Sequence, residues 1–200
     1  MATFVVGLTG GIASGKSTVG NLLRELGCIV SDSDRLVAEL YQPGARGTEE
    51  VSRLFSDDLL DRDGAVDKQK LAAVVFNDKE ELRRLEAAIH PLVGAAFAKL
   101  VEQSPGIVVF EVPLLVETGG GSRYDYVVTV EADPDLRIER AVTRGVDRES
   151  AEARQRAQAD TESRVAAADW VLRNDGTLEE LEEQVEELVK ELEKKARSEQ

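Results

Sequence analysis

The chain has 200 residues, 42% hydrophobic and 4% aromatic, with a formal net charge of −14. That length suits one α/β domain with room for a helical insertion, its core resting on Leu, Val, Ile and Ala rather than on rings. So acidic a chain is a poor partner for nucleic acid or an anionic membrane, and its single cysteine, Cys28, cannot close an intramolecular disulfide. The first apolar run is too short for a signal peptide or a membrane span, so a cytoplasmic protein is expected, as a monomer with an oligomer as the alternative.

Phe4 to Leu8 reads as a short buried strand. It leads into Gly10-Gly11-Ile12-Ala13-Ser14-Gly15-Lys16-Ser17, a full match to the phosphate-loop pattern G-x-x-x-x-G-K-[ST], and helix-forming residues follow at once. The glycines let the backbone turn so that N–H groups converge on phosphates at the positive end of the next helix. Nucleotide contacts are therefore expected from Gly11, Ile12, Ala13, Ser14, Gly15, Lys16, Ser17 and Thr18. Lys16 would reach the β- and γ-phosphates of a nucleoside triphosphate, and the Ser17 hydroxyl would coordinate Mg²⁺.

A helix over Ser17–Leu26 stops at Gly27, and Cys28–Val30 forms a second strand. That strand delivers Asp32 and Asp34 to the carboxyl edge of the sheet, where ligands of open α/β sheets collect. A carboxylate there can accept the proton of an acceptor hydroxyl. Either aspartate can instead cap the helix expected over Arg35–Tyr41, and Asp32 can hold Mg²⁺ through water.

No strand pattern occurs from Thr48 to about Val101. Val51, Leu54 and Phe55 mark one helical face, Leu71, Val74, Val75 and Phe76 another, and an apolar stripe runs from Leu82 to Leu100. Pro91 is expected to kink or split that last helix just after His90. His90 is the sole histidine, which excludes histidine triads and His-rich metal sites. Asp61-Arg62-Asp63-Gly64 matches the D-x-x-G of a GTPase switch, but it lies within this helical excursion and no Asn-Lys-x-Asp follows, so that reading fails.

Ile107–Val112 is a third strand, with Glu111 near its end as a candidate to orient Mg²⁺ or its waters. Tyr126–Val130 is a fourth and Val171-Leu172 a fifth; strands alternating with helices argue for a parallel sheet covered on both faces. Between the last two strands lie Arg137, Arg140, Arg144, Arg148, Arg154 and Arg156. They suit either a lid that clamps phosphate charge or a solvated, ion-paired surface; Arg140 and Arg144 are the best functional pair by spacing. Thr177 and Glu180 form a capping box for a final amphipathic helix. Its stripe of Leu178, Leu181, Val185, Leu188 and Leu192 suits docking on the same domain better than a coiled coil of little more than two heptads.

With these residues in view, the chain resembles the dephospho-coenzyme A kinase family from Val6 to about Gly176. The likeness rests on Gly7–Thr18, Asp32-Ser33-Asp34, Pro43-Gly44, the Asp63–Asp67 turn, Val75-Phe76, His90-Pro91-Leu92-Val93 and Val112–Glu117. Arg140, Arg144, Arg154, Ala157-Gln158, Ala168-Asp169 and Asn174-Asp175-Gly176 complete it. The resemblance implies a P-loop NTPase fold of the α/β class, a mostly parallel five-stranded sheet flanked by helices, with a helical substrate-binding insertion and an arginine-bearing lid. It implies transfer of the γ-phosphoryl of ATP, with Mg²⁺, to the 3′-hydroxyl of dephospho-coenzyme A. Asp34, Lys16 and Arg140 would be catalytic, Arg144 and Asn174 would join the nucleotide contacts, and Ser17 and Asp32 would serve the metal. Thr9, Asp34, His90, Pro113, Leu114 and Leu115 would face the acceptor. Residues 1–41 and 104–200 would form the nucleotide core, 42–103 the acceptor-binding insertion, 137–158 the lid and 177–200 the terminal helix.

Three positions depart from the family pattern. Ala13 replaces a common glycine, a change expected to be tolerated if φ there is negative. Lys68 stands where arginine is usual. Gly119-Gly120-Gly121 suggests a loose connection. Two other readings compete: a kinase of another small alcohol on this scaffold, and an ATP-binding switch whose terminal helix engages a partner.

Overall fold

Five apolar runs become five strands of one sheet. These are β1 (Thr3–Gly10), β2 (Ile29–Asp32), β3 (Gly106–Glu111), β4 (Tyr126–Glu131) and β5 (Trp170–Arg173), in the order β2-β3-β1-β4-β5. This computed structural model describes residues 3–75 and 78–198, so Phe76 lies outside the described residues. All five strands run parallel, and β1 sits in the middle, with Val6 opposite Val109 on one side and Tyr126 on the other. Central parallel strands are covered on both faces, which is why they read as unbroken apolar runs.

The helices are α1 (Lys16–Glu25), α2 (Ser33–Leu40), α3 (Arg46–Leu54), α4 (Lys68–Val75), α5 (Lys79–Gln103), α6 (Pro134–Thr143), α7 (Arg148–Ala157), α8 (Thr161–Ala166) and α9 (Leu178–Ser198). Contacts divide the chain into two compact units, Met1–Ser31 with Ser104–Gln200, and Asp32–Gln103. The sequence pattern places the first nucleotide-binding segment through residue 41, whereas α2 packs on α3 and α5 within the second unit.

In the sheet unit, Val6, Leu8, Val109, Val128 and Leu172 meet Val19 and Leu23 of α1 and the stripe Leu181, Val185, Leu188 and Leu192 of α9. The capping box forms in both directions: Thr177 N–H donates to Glu180 Oε2 at 2.9 Å and Glu180 N–H to Thr177 Oγ1 at 3.2 Å. With its apolar face spent on the sheet core, α9 docks on its own domain, as the spacing suggested. The triple glycine is tighter than expected. Gly119 takes φ +63 and Gly120–Arg123 form a 3-10 turn, closed by Gly120 N–H to the Leu115 carbonyl at 3.0 Å and Tyr124 N–H to the Gly121 carbonyl at 3.1 Å.

The helical unit has its own core of Tyr41, Val51, Leu59, Val66, Leu71, Val75 and Ile89. Here α5 runs as one helix through Pro91 and is not split after His90. A proline interrupts the ladder at its own missing N–H, and packing of α2, α3 and α4 along α5 holds the helix together. The D-x-x-G segment is a local turn. Asp61 Oδ1 accepts from Asp63 N–H at 3.0 Å and Ala65 N–H at 2.9 Å, and Leu60 and Val66 form an isolated antiparallel bridge. Asp61 is occupied in shaping its own turn, which is not what a switch residue does.

Candidate active site

The phosphate loop hangs between the end of β1 and the start of α1. Gly10 (φ +148) and Gly15 (φ +108) adopt backbone angles that favour glycine, and a Cβ on Gly10 would lie 2.3 Å from the Val130 carbonyl oxygen. Ala13, however, sits at φ +53, alone among the described non-glycine residues in having a positive φ. The condition for easy tolerance of alanine, a negative φ, is therefore not met: the loop holds Ala13 in the left-handed region, at a cost of roughly 1–2 kcal/mol. Bonds on either side hold it there. Ile12 N–H donates to Gln158 Oε1 at 2.7 Å, and Asn174 Nδ2 donates to the Ser14 carbonyl at 2.8 Å.

The helix that follows is open to an anion. Gly15 gives α1 no side-chain cap and its first turn contains no acid, so orphan N–H groups and the positive dipole end face whatever the loop holds. Lys16 Nζ donates to the carbonyls of Gly10 (2.9 Å) and Gly11 (3.3 Å). Burial depresses its pKa; Arg164 and Arg137 push the same way, against the pull of Glu111 and Glu131. Ser17 is exposed on the first turn. Glu111 packs against Gly20, where a Cβ would come within 2.6 Å of its Oε1, and it lies 3.9 Å from Arg24.

Beyond the loop, Ala13, Gly15, Thr18, Arg140, Arg144 and Asn174 line an open cavity of about 240 Å³, together with Gly176, Leu178 and Leu181. Arg140 Nη1 donates to the Asn174 carbonyl at 2.8 Å, so Arg140 is fixed beside the phosphate loop, and Arg144 lines the same cavity. Arg148 and Arg156 instead pair with Glu152 on the solvated face of α7, at 3.9 and 3.7 Å.

Behind the loop lies a cluster that sequence reasoning did not single out. Glu131, fully buried at the end of β4, accepts from Thr129 Oγ1 (2.7 Å) and Arg164 Nε (2.7 Å) on Oε1, and from Arg164 Nη2 (2.6 Å) on Oε2. Burial alone would raise its pKa, but the hydrogen bonds from Arg164 and Thr129 outweigh it and hold the carboxyl below the ordinary range. Arg164 also donates to the Ala159 carbonyl. An acid closing a buried strand was the only available signal, and Glu111 shares it.

The other expected residues fall as follows. Thr9 is buried on β1, with an Oγ1 that has no hydrogen-bond partner. Pro113 and Leu114 are exposed, but Leu115 is 1% exposed and fills the space left by the missing side chain of Gly7. In the helical unit, Asp32 is the cap of α2, its Oδ1 accepting from Arg35 N–H at 2.7 Å. Asp34 lies exposed on the first turn of the same helix, and His90 is exposed on α5.

The chain is similar to known proteins over nearly its whole length. The family model for dephospho-CoA kinase matches residues 4–180. Dephospho-CoA kinase of Streptomyces avermitilis is 45% identical over 183 residues, covering 90% of this chain and 89% of that protein. The Thermobifida fusca enzyme of the same name is 40% identical over 196 residues, covering 96% and 98%. The solved dephospho-CoA kinase from Campylobacter jejuni superposes with a TM-score of 0.73 at 23% identity, over 96% of this chain and 98% of that one, and so shares the fold. The chain belongs to the dephospho-CoA kinase family, ATP-dependent phosphotransferases that phosphorylate dephospho-CoA in coenzyme A biosynthesis.

Proposed function

We propose that this chain transfers the γ-phosphoryl of ATP to the ribose 3′-hydroxyl of dephospho-CoA, with the phosphates in the Gly11–Thr18 loop and the adenine in the cavity beside it. The observation that carries this reading is the convergence of the uncapped α1 terminus, Lys16, Arg140, Arg144 and Asn174 on one loop. Lys16 leaves the Gly10 and Gly11 carbonyls for the β- and γ-phosphates, and Arg140 and Arg144 balance charge that spreads over the transferring group.

Among the described residues no cluster of three acids, histidines or cysteines could hold a metal by itself. That fits Mg²⁺ arriving with the nucleotide, since this ion is usually bound by phosphate oxygens, waters and few protein groups. Ser17 would hold it, with Asp32 contributing through water beyond its cap bond. The ion would supply charge neutralisation on the phosphates.

Asp34 is the proton acceptor for the attacking hydroxyl. The cap role has gone to Asp32, which leaves the Asp34 carboxylate solvent-facing just past the end of β2. Residues 42–103, His90 and the Pro113–Glu117 segment recognise the acceptor, while residues 137–158 form the lid. All these roles are served by one chain, so a monomer is proposed. No helix among the described residues is long and apolar enough to cross a membrane, and a cytoplasmic location is proposed.

Asp34→Asn should leave ATP binding near normal and lower turnover by roughly 10²-fold or more; unchanged turnover removes Asp34 from the role. An ADP-release assay over a panel of alcohol acceptors tests the acceptor itself. Strong turnover of another alcohol with none of dephospho-CoA would overturn the proposal. The partner-binding switch has little support, because the apolar face of α9 is already buried in the sheet core.

A further inference from the structure

Arg137 breaks the rule that buried charges are paired. Its side chain is 4% exposed, yet it makes no hydrogen bond or ion pair among the described residues, and Nε is shut away from solvent with no acceptor. Glu131 carries the compensating charge nearby, but its oxygens are already occupied by Arg164, Thr129 and Thr161. Asp133, the other acid that Arg137 feels, caps the start of α6 with its Oδ1.

The position of the guanidinium is set by the phosphate loop. A Cβ on Gly11 would lie 1.7 Å from Arg137 Nη1, so the guanidinium rests directly on the loop backbone and only glycine leaves it room. Two further buried oxygens without partners, Thr9 Oγ1 and Ser14 Oγ, belong to the same strand and loop. Lys16, Arg137 and Arg164 thus share one loop with two carboxylates, Glu111 and Glu131.

We propose that Arg137 is a phosphate ligand of the bound nucleotide, donating to non-bridging oxygens of the terminal phosphoryl groups beside Lys16. The inference rests on the kinase reading and deepens it. One helical turn further along α6, Arg140 is tied to the Asn174 carbonyl at the cavity end of the loop. The same helix therefore brings Arg137 onto the phosphate loop, and Arg140 with Arg144 to the cavity beside it. The Arg164–Glu131 pair holds the acid that would otherwise neutralise Arg137, so Arg137 stays available.

The test uses Arg137→Met and Arg137→Lys in the full chain. Affinities for ATP, inorganic tripolyphosphate and adenosine are measured by calorimetry, together with the melting temperature of the free protein. Arg137→Met should weaken ATP and tripolyphosphate about 10- to 100-fold, the loss expected for a charge-assisted hydrogen bond, and leave adenosine unchanged. It should melt no lower than wild type, because an unpaired buried cation has been replaced by an apolar chain of similar length. Arg137→Lys should recover part of the phosphate affinity. Unchanged tripolyphosphate affinity overturns the proposal. So does a Met variant that melts well below wild type or fails to fold, since Arg137 would then be structural. Failure of the kinase reading is separate: it would show as wild-type protein that does not phosphorylate dephospho-CoA, whatever the variants do to ATP affinity.

Discussion

The surroundings of the phosphate loop and the seat of α9 belong to the same unit and obey opposite rules. Around α9 local preference and packing agree. The cap is reciprocal, the apolar stripe is buried, and Gln184 bonds both the N–H and the carbonyl of Arg173 at 2.9 and 2.8 Å. Around the loop they disagree. Ala13 is left-handed, and among the described residues Arg137 Nε, Thr9 Oγ1 and Ser14 Oγ are buried without hydrogen-bond partners. Departures from good local chemistry gather where a ligand is to bind, while the rest of the unit supplies the stability that tolerates them.

Damage to the seat of α9 should have the greatest effect on stability. Leu188→Ala should cost about 2–5 kcal/mol, by denaturant unfolding, through the cavity it opens in the sheet core. ATP affinity of the folded fraction should not change, and a parallel loss of affinity would show that seat and site are one device. A second lever is Cys28, whose thiol burial pushes up from an ordinary 9.0 to about 11, with help from Glu193 of α9. A raised folded-state pKa gives stability that is complete below pH 9 and is lost as pH rises towards 11. That amounts to on the order of 2–3 kcal/mol. Cys28→Val should flatten this part of the pH–stability curve; an identical alkaline decline would assign it to other groups. The smallest effect has the opposite sign. Ala13→Gly should raise stability by roughly 0.5–1 kcal/mol, the relief of left-handed strain less the extra freedom of glycine in the unfolded chain. A loss would mean that the loop is not strained.

Much of this molecule was legible before folding. The strands were readable because a doubly covered parallel sheet is written as continuous apolar runs, and the Thr177–Glu180 box because both partners lie within one turn. The path of α5 through Pro91 was not, since it depends on helices packed along it. Six-residue α8 is too short for a helical period to register. The sign of φ at Ala13 was hidden because Gln158 and Asn174 help to set it. Arg137 looked like its neighbours on α6. What distinguishes it is contact with Gly11 and the prior claim of Arg164 on Glu131, both remote in sequence. Position past β2 marked Asp32 and Asp34 as candidate proton acceptors, but the choice of Asp34, the role of His90 and the acceptor itself came through resemblance alone, and family membership now supports the acceptor.

The Gln158–Ile12 and Asn174–Ser14 bonds also bear on the order in which the molecule is made. The loop follows β1, but two of its restraints come from residues 146 and 160 positions further along the chain. β1 must likewise wait for β3 and β4 on either side of it. Contacts this distant in sequence close slowly, after much chain entropy has been lost. A nascent or truncated chain that ends before Gln158 therefore carries the whole phosphate-loop sequence without the bonds that shape it.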